Sequence, residues 1–105
     1  MALGDGPAYE CGEGWYPIID RAIEELRALD PNLEISQIKE KFGGLRLYVD
    51  PGNWEDQLMR ARFNKVIAAA EEEASNTCER CGSTPARMYA PRGWYRTLCD
   101  EHSEV

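Results

Sequence analysis

The chain of 105 residues lacks a long apolar run, lacks an excess of positive charge and contains one histidine. No apolar run approaches the roughly 18 residues that a membrane-spanning helix needs, and the first residues, MALGDGPAYE, have neither the basic start nor the apolar stretch of a signal peptide. The 12 basic and 19 acidic residues give a net charge of -7, which disfavours a general electrostatic attraction to nucleic acid. We therefore expect a cytoplasmic protein that makes no membrane contact.

The cysteines are also few, and their spacing is typical of a metal site. The four cysteines are too few for a secreted disulfide scaffold. Three of them form, with the single histidine, the pattern C-x2-C, a gap of 17 residues and C-x2-H. Two-residue spacers bring each pair of ligands onto one ion, and Gly82 lets the chain turn so that backbone amides point at the thiolates. The pattern predicts one structural Zn2+ per chain, bound by Cys78, Cys81, Cys99 and His102.

Three other interpretations of these four residues stay open. The CxxC pair could be a redox centre, although the thioredoxin-like context is missing. Two of the cysteines could form a disulfide, which would leave the third cysteine of the cluster unpaired. The spacing could also be a coincidence, with the four residues forming no common site. Zinc with four protein ligands has no open position for water, and no second imidazole is left for acid-base chemistry. We therefore predict that the protein is not an enzyme, because catalysis would require an open metal site or an activated Cys11.

Two segments have the apolar periodicity of helices. The first covers residues 15–30 and ends where Pro31 disfavours helical geometry in the residue before it. The second covers residues 54–75 and is the most regular in the chain. Ahead of the first helix, the glycine-rich residues 1–14 predict a loose arm that could dock through Tyr9 and Cys11. Cys11 could be a reactive thiol or contact the zinc module, but we expect it to be a buried, small apolar side chain.

Between the helices, two alternating runs on either side of Gly43-Gly44 predict a β-hairpin from about Ser36 to Asp50. A loop made of the two glycines pairs the strands in this register: Phe42 with Leu45, Glu40 with Leu47, Ile38 with Val49, and Lys41 with Arg46. That register puts Phe42 on the core face and two like charges opposite each other, at a cost of a few tenths of a kcal/mol. A change of phase predicts either a bulge or the start of the strand near Ser36 and Gln37.

These elements predict an α+β fold in which two helices pack on a β-hairpin, followed by a small treble-clef-like zinc module. We expect an arm of residues 1–14, a helix-hairpin-helix core of residues 15–76, and a zinc-binding module of residues 77–105 packed on that core. The module is expected to contain a second hairpin around Pro91-Arg92-Gly93.

Basic residues occur on both hairpins, and in the second they alternate with aromatic residues. These basic residues could neutralise acidic residues of the same molecule. They could also contact a protein partner, since Trp, Tyr and Arg are common at protein interfaces. A third possibility is that they bind nucleic acid and stack on its bases, although the net charge of the chain opposes this. The candidate partner-binding residues are Lys39, Lys41, Arg46, Arg87, Arg92, Trp94, Tyr95 and Arg96.

The segments CGEGWYPIIDR, IKEKFGGLRLYVD, TCERCG and GWYRTLCDEH together resemble a group of small proteins encoded by bacteriophages, prophages and bacteria. The likeness covers most of residues 11–102. It implies a bacterial or phage-infected cell as the setting and supplies no activity or catalytic residue. By analogy it favours an accessory protein that binds or inhibits a host or defence factor. We thus predict a non-enzymatic, zinc-stabilised protein that binds another protein, the alternative being a zinc-finger protein that binds nucleic acid.

Overall fold

The computed structural model describes residues 8–50, 57–90 and 93–103, and its class is the predicted α+β. Two helices and one face of a three-stranded sheet share an apolar core, and a two-stranded sheet with a short helix carries the second pair of candidate metal ligands. Within these residues, no helix combines the length and apolar character needed to cross a membrane. In chain order the elements are β1 (Tyr9–Glu10), a 3-10 turn (Glu13–Trp15), α1 (Tyr16–Leu29), β2 (Glu34–Lys41), β3 (Gly44–Asp50), α2 (Gln57–Ser75), β4 (Arg87–Tyr89), β5 (Arg96–Leu98) and α3 (Asp100–Ser103).

Helix α1 confirms the helix predicted over residues 15–30 to within one residue at each end. Pro17 lies in its first turn, where a missing amide donor has no partner to lose. Asp30 leaves the helical conformation, with φ -147 and ψ 100, because Pro31 follows it. The buried stripe of this helix consists of Ile18, Ile19, Ala22 and Leu26.

The hairpin of β2 and β3 forms where predicted, but the predicted register is wrong. Its two-residue loop is Phe42-Gly43, with φ values of 54 and 81, whereas Gly44 is the first residue of β3 and pairs with Lys41. Positive φ at both loop residues is typical of the tight turn whose twist matches that of the strands. Phe42 adopts this rare conformation and is 64% exposed, so it does not lie on the core face.

The loop shift changes every pairing of the hairpin. Ile38 pairs with Leu47 instead of Val49, and the like-charge pair is Lys39 with Arg46 instead of Lys41 with Arg46. The observed pairs are Lys41 with Gly44, Glu40 with Leu45, Lys39 with Arg46, Ile38 with Leu47, Gln37 with Tyr48, Ile35 with Val49 and Glu34 with Asp50. Of the two alternatives predicted near Ser36 and Gln37, the irregularity between Ile35 and Gln37 confirms the bulge. The strand itself does not start there but begins at Glu34.

Helix α2 closes the core over the hairpin. Phe63, Ala70 and Ala74 are buried on its inner side, and Met59, Val66 and Ile67 pack against the same core, which confirms the predicted stripe. The helix ends at Ser75, as predicted from Asn76; residues 54–56 of the predicted helix lie outside the described residues. Burying side chains of the size of Phe63 stabilises a fold by about 1.5–3 kcal/mol each.

The segment before α1 is part of the sheet from Tyr9 onward. Strand β1 pairs in parallel with β2, with Tyr9 beside Ile38 and Glu10 beside Lys39. The Tyr9 hydroxyl donates a hydrogen bond to Asp20 Oδ1 at 2.6 Å, which fixes the strand to α1. Burial and this bond raise the pKa of Tyr9 to about 12. Residues 1–7 of the predicted arm lie outside the described residues.

The outer edge of β3 is partly blocked by α2. Glu71 Oε2 accepts a hydrogen bond from the Leu47 amide at 3.3 Å, so this edge amide is not free to pair with another strand. Two residues further along the helix, Glu73 forms an ion pair of 2.7 Å with Arg21 of α1. These two glutamates therefore tie α2 to both of its neighbours.

Candidate metal centre

The three cysteines and the histidine predicted as metal ligands come together at one point. One ligand atom from each of Cys78, Cys81, Cys99 and His102 lies within 4.8 Å of the other three. We call these four residues the Cys3His cluster. The first two belong to the turn after α2, and the last two come from the end of β5 and from α3. The fold thus brings together two pairs of residues with 17 residues between them in the sequence.

Three of the distances within the Cys3His cluster are close to those around a tetrahedral ion of the size of zinc. Tetrahedral ligands at zinc bond lengths lie about 3.8 Å apart when both are sulfur and about 3.5 Å apart when one is nitrogen. Here Cys81 Sγ lies 3.7 Å from Cys99 Sγ, and His102 Nδ1 lies 3.6 Å from Cys78 Sγ and 3.3 Å from Cys99 Sγ. A disulfide would need a sulfur separation of about 2.05 Å. All four cysteines are free thiols.

The backbone around the first sulfur favours a thiolate. Burial by itself raises the pKa of the Cys78 thiol, but the nearby backbone amides of Cys99, Cys81 and Arg80 lower the pKa to about 6. The turn is closed by the Gly82 amide, which donates to Cys78 O at 2.8 Å, and Gly82 itself has a φ of 83. This is the geometry that the sequence predicted from a glycine directly after the second cysteine, and it suits a thiolate ligand.

The second pair of ligands depends on one helical turn. Cys99 lies directly before α3, and the His102 amide donates to the Cys99 carbonyl at 3.1 Å. This turn puts the imidazole next to the thiol of the same pair. Strand β5 in turn holds Cys99 in place, because Thr97 O accepts the Glu79 amide at 3.0 Å and so joins the strand to the turn that carries Cys78 and Cys81.

Sequence reasoning missed how the segment before α1 fits against this turn. The Gly14 amide donates to Glu79 O at 2.7 Å, the Gly12 amide donates to Glu79 Oε2 at 2.9 Å, and Trp15 Nε1 donates to Thr77 O at 2.8 Å. Trp15 is fully buried. We call this set of contacts the glycine clamp. The signal for it was the pair of glycines directly before Trp15.

Glycine is required in the clamp because two backbones meet there. A Cβ atom on Gly14 would collide with Cys78 O and would lie 2.5 Å from the Gly82 amide nitrogen. On Gly12 it would collide with Glu79 O. The segment before α1 therefore lies directly against the turn that holds the first two candidate ligands.

Cys11 does not belong to the Cys3His cluster. It is half-buried and packs against the main core, close to the predicted environment of a small apolar residue. Burial and the nearby carboxylates of Glu79 and Glu40 raise the pKa of its thiol to about 11. A thiol of this kind stays protonated at neutral pH and is a weak nucleophile.

The hairpin loop of β2 and β3 packs on the two-stranded sheet. Thr97 Oγ1 donates to the Gly43 carbonyl at 2.6 Å, and a Cβ atom on Gly43 would lie 3.1 Å from Met88 Cε. The Phe42 and Tyr95 rings meet edge to face, with centroids 6.4 Å apart. The second hairpin thus forms at the predicted place, with β4 and β5 as its strands.

Beside this contact the surface has a groove of about 310 Å3. We call it the aromatic groove; it is lined by Glu40, Lys41, Phe42, Gly93, Trp94 and Tyr95. Trp94 is 70% exposed and Tyr95 is 46% exposed.

Seven of the eight predicted partner-binding residues lie in three parts of the structure. Trp94, Tyr95 and Lys41 line the aromatic groove. Lys39 and Arg46 pair on the hairpin, and Arg87 and Arg96 lie on β4 and β5. Arg92 lies outside the described residues.

Comparison of the chain with protein-family models, with curated proteins and with solved structures gives no match.

Proposed function

We propose that the Cys3His cluster binds one zinc ion and that the ion has a structural role. The support is three ligand-to-ligand distances close to those of tetrahedral zinc and the chemistry of three thiols with one imidazole. Zinc would supply a cross-link between the turn at Cys78 and the turn at His102. Four protein ligands would fill its coordination sphere and leave no position for a catalytic water.

We infer that the protein is a binding protein without catalytic activity of its own. Its single histidine belongs to the Cys3His cluster, so no imidazole remains for acid-base chemistry. The protonated Cys11 thiol is not an activated nucleophile. Catalysis would require an open metal site or an activated Cys11, and these observations favour neither.

The partner that we propose is another protein, and the aromatic groove carries this proposal. Trp94 leaves most of its surface in water and lies beside Phe42 and Tyr95. Exposed Trp and Tyr side chains around a groove are typical of the central residues of protein interfaces. From the resemblance of the sequence to small phage, prophage and bacterial proteins, we propose that the partner is a host or defence factor that this protein inhibits.

The experiment is native mass spectrometry of the tagged protein recovered from a bacterial lysate with and without nuclease. The proposal expects the mass of one zinc ion and a retained protein that survives nuclease treatment and is absent from the Trp94→Ala variant. Leu58→Ala is the matched control, because Leu58 is equally exposed but lies on α2. Retained material that nuclease removes would support the alternative, a zinc protein that binds nucleic acid. A stable protein without metal would refute the structural role of zinc.

A further inference from the structure

The face of the three-stranded sheet opposite the core carries positive charge that the described residues do not neutralise. Lys39 and Arg46 are directly opposite each other, and Lys41 follows Lys39 on the same face because strand side chains alternate. We call these three residues the basic strand face. None of them forms an ion pair with a described residue, although Glu10 lies beside Lys39 in the register of β1 and β2. Like charges directly opposite each other destabilise a sheet.

The basic strand face is continuous with the aromatic groove. Lys41 belongs to both, since it lines the groove and its Nζ lies 5.7 Å from the centre of the Phe42 ring. Glu40, the one acidic residue of the lining, is held by the loop, where its Oε2 accepts the Gly43 amide at 2.7 Å. The aromatic groove thus opens beside three cations that form no ion pair with a described residue.

We propose that this surface binds an acidic segment of a partner protein, with one apolar side chain in the aromatic groove and carboxylates on the basic strand face. The inference rests on the proposed protein-binding function and adds the chemistry of the partner. A groove of about 310 Å3 has room for one large side chain and not for a folded element. Carboxylates next to that side chain would relieve the repulsion between Lys39 and Arg46.

The same observations disfavour single-stranded nucleic acid. Phe42 and Tyr95 meet at 83°, so their faces do not form the parallel platform on which successive bases stack. A net charge of -7 also opposes a long polyanion, whereas a short acidic segment needs attraction only at the basic strand face.

The test begins with a bead-bound library of random peptides sorted against the zinc-loaded protein. We expect enrichment of Asp and Glu around one apolar position. The best peptide, labelled with fluorescein, is then titrated by anisotropy beside three probes: the same peptide with Lys for each acidic residue, the same peptide with Ala at the apolar position, and an oligothymidylate of equal charge. The first two changes should each weaken binding about tenfold or more.

Two variants and their controls locate the site. Trp94→Ala should weaken binding of the acidic peptide about tenfold, and Leu58→Ala should not change it. The double variant Lys39→Ser with Arg46→Ser should weaken binding about fivefold and reduce its salt dependence. Its control is Arg62→Ser with Lys65→Ser, which removes the same charge from exposed positions of α2. Unchanged zinc content and thermal midpoint show that each variant is folded.

Several results would overturn the inference. In the peptide library, these are enrichment of peptides without acidic residues or no enrichment at all. In the titrations, they are equal affinity of the Lys39/Arg46 double variant and its control for the acidic peptide, or tighter binding of oligothymidylate than of the peptide. Self-association of the protein that Trp94→Ala abolishes would also overturn it. The proposed function can survive this failure. If a protein from the lysate is still captured and is lost only in Trp94→Ala, the protein-binding function stands and the acidic chemistry of the partner is wrong.

Discussion

The substitution Gly14→Ala tests whether the glycine clamp and the metal centre form one unit. The added methyl group would collide with the Cys78 carbonyl and lie 2.5 Å from the Gly82 amide nitrogen. Both neighbours are backbone atoms, so they cannot give way by rotating a side chain. The segment before α1 and the turn at Cys78 must therefore move apart.

The loss can be summed from three hydrogen bonds. Separation weakens the bonds from the Gly14 amide to Glu79 O, from the Gly12 amide to Glu79 Oε2 and from Trp15 Nε1 to Thr77 O. At about 1 kcal/mol each, the free energy of unfolding falls by about 3 kcal/mol. For a domain of this size the thermal midpoint then falls by roughly 10–20 °C. The same displacement moves the turn that carries Cys78 and Cys81, so the apparent zinc affinity should fall by up to about 100-fold.

The assay is thermal unfolding followed by near-ultraviolet circular dichroism at a fixed concentration of free zinc, because bound metal shifts the midpoint. Competition with a chromophoric chelator gives the affinity. Gly44→Ala is the matched control: a Cβ atom there would lie 3.7 Å from the nearest atom, the Lys41 carbonyl oxygen, and we expect little change in either quantity. The clamp argument is refuted if Gly14→Ala and Gly44→Ala have the same midpoint and the same zinc affinity.

Three further predictions concern the metal, the cysteines and pH. Chelation of the proposed zinc should abolish the near-ultraviolet signal of buried Trp15 together with the rest of the tertiary signal; retention of that signal in the metal-free protein would mean that the clamp folds without metal. Cys81→Ser should lose the bound zinc measured by native mass spectrometry, whereas Cys11→Ser should keep one ion per chain, and loss from both variants would place Cys11 in the site. The raised pKa of Tyr9, about 12, means that its contact with Asp20 is fully present below the ordinary tyrosine pKa and is lost as the pH rises toward 12. Tyr9→Phe should remove a tyrosinate that forms near pH 12 in an ultraviolet titration, and an unchanged titration curve would contradict this assignment.

The sequence predicted the structure best where the chemistry of the residues and their spacing point to the same feature. The four members of the Cys3His cluster could be predicted because two-residue spacers between soft ligands suit few structures other than a metal site. Helix α1 could be predicted because apolar periodicity and Pro31 agree on where it ends. In both cases the pattern is local.

The errors and omissions have physical causes that a local pattern does not contain. The hairpin register was wrong because two adjacent glycines indicate a loop, whereas the chain puts Phe42 at positive φ and keeps Gly44 in β3. The twist of the strands favours that loop, and Thr97 holds it through the Gly43 carbonyl. The glycine clamp was missed because Gly12 and Glu79 lie 67 positions apart, and glycine alone does not identify its partner.

The clamp also fixes an order of events during synthesis of the chain. Trp15 and its acceptor Thr77 are 62 positions apart, so at ribosomal speeds of about 5–20 residues per second the indole is made several seconds before its partner. Cys99 and His102 follow later still. Until Thr77 is made, the indole of Trp15 lacks the carbonyl to which it donates in the folded protein. The hydrogen bond of the buried Trp15 indole therefore waits for the residues that directly follow α2.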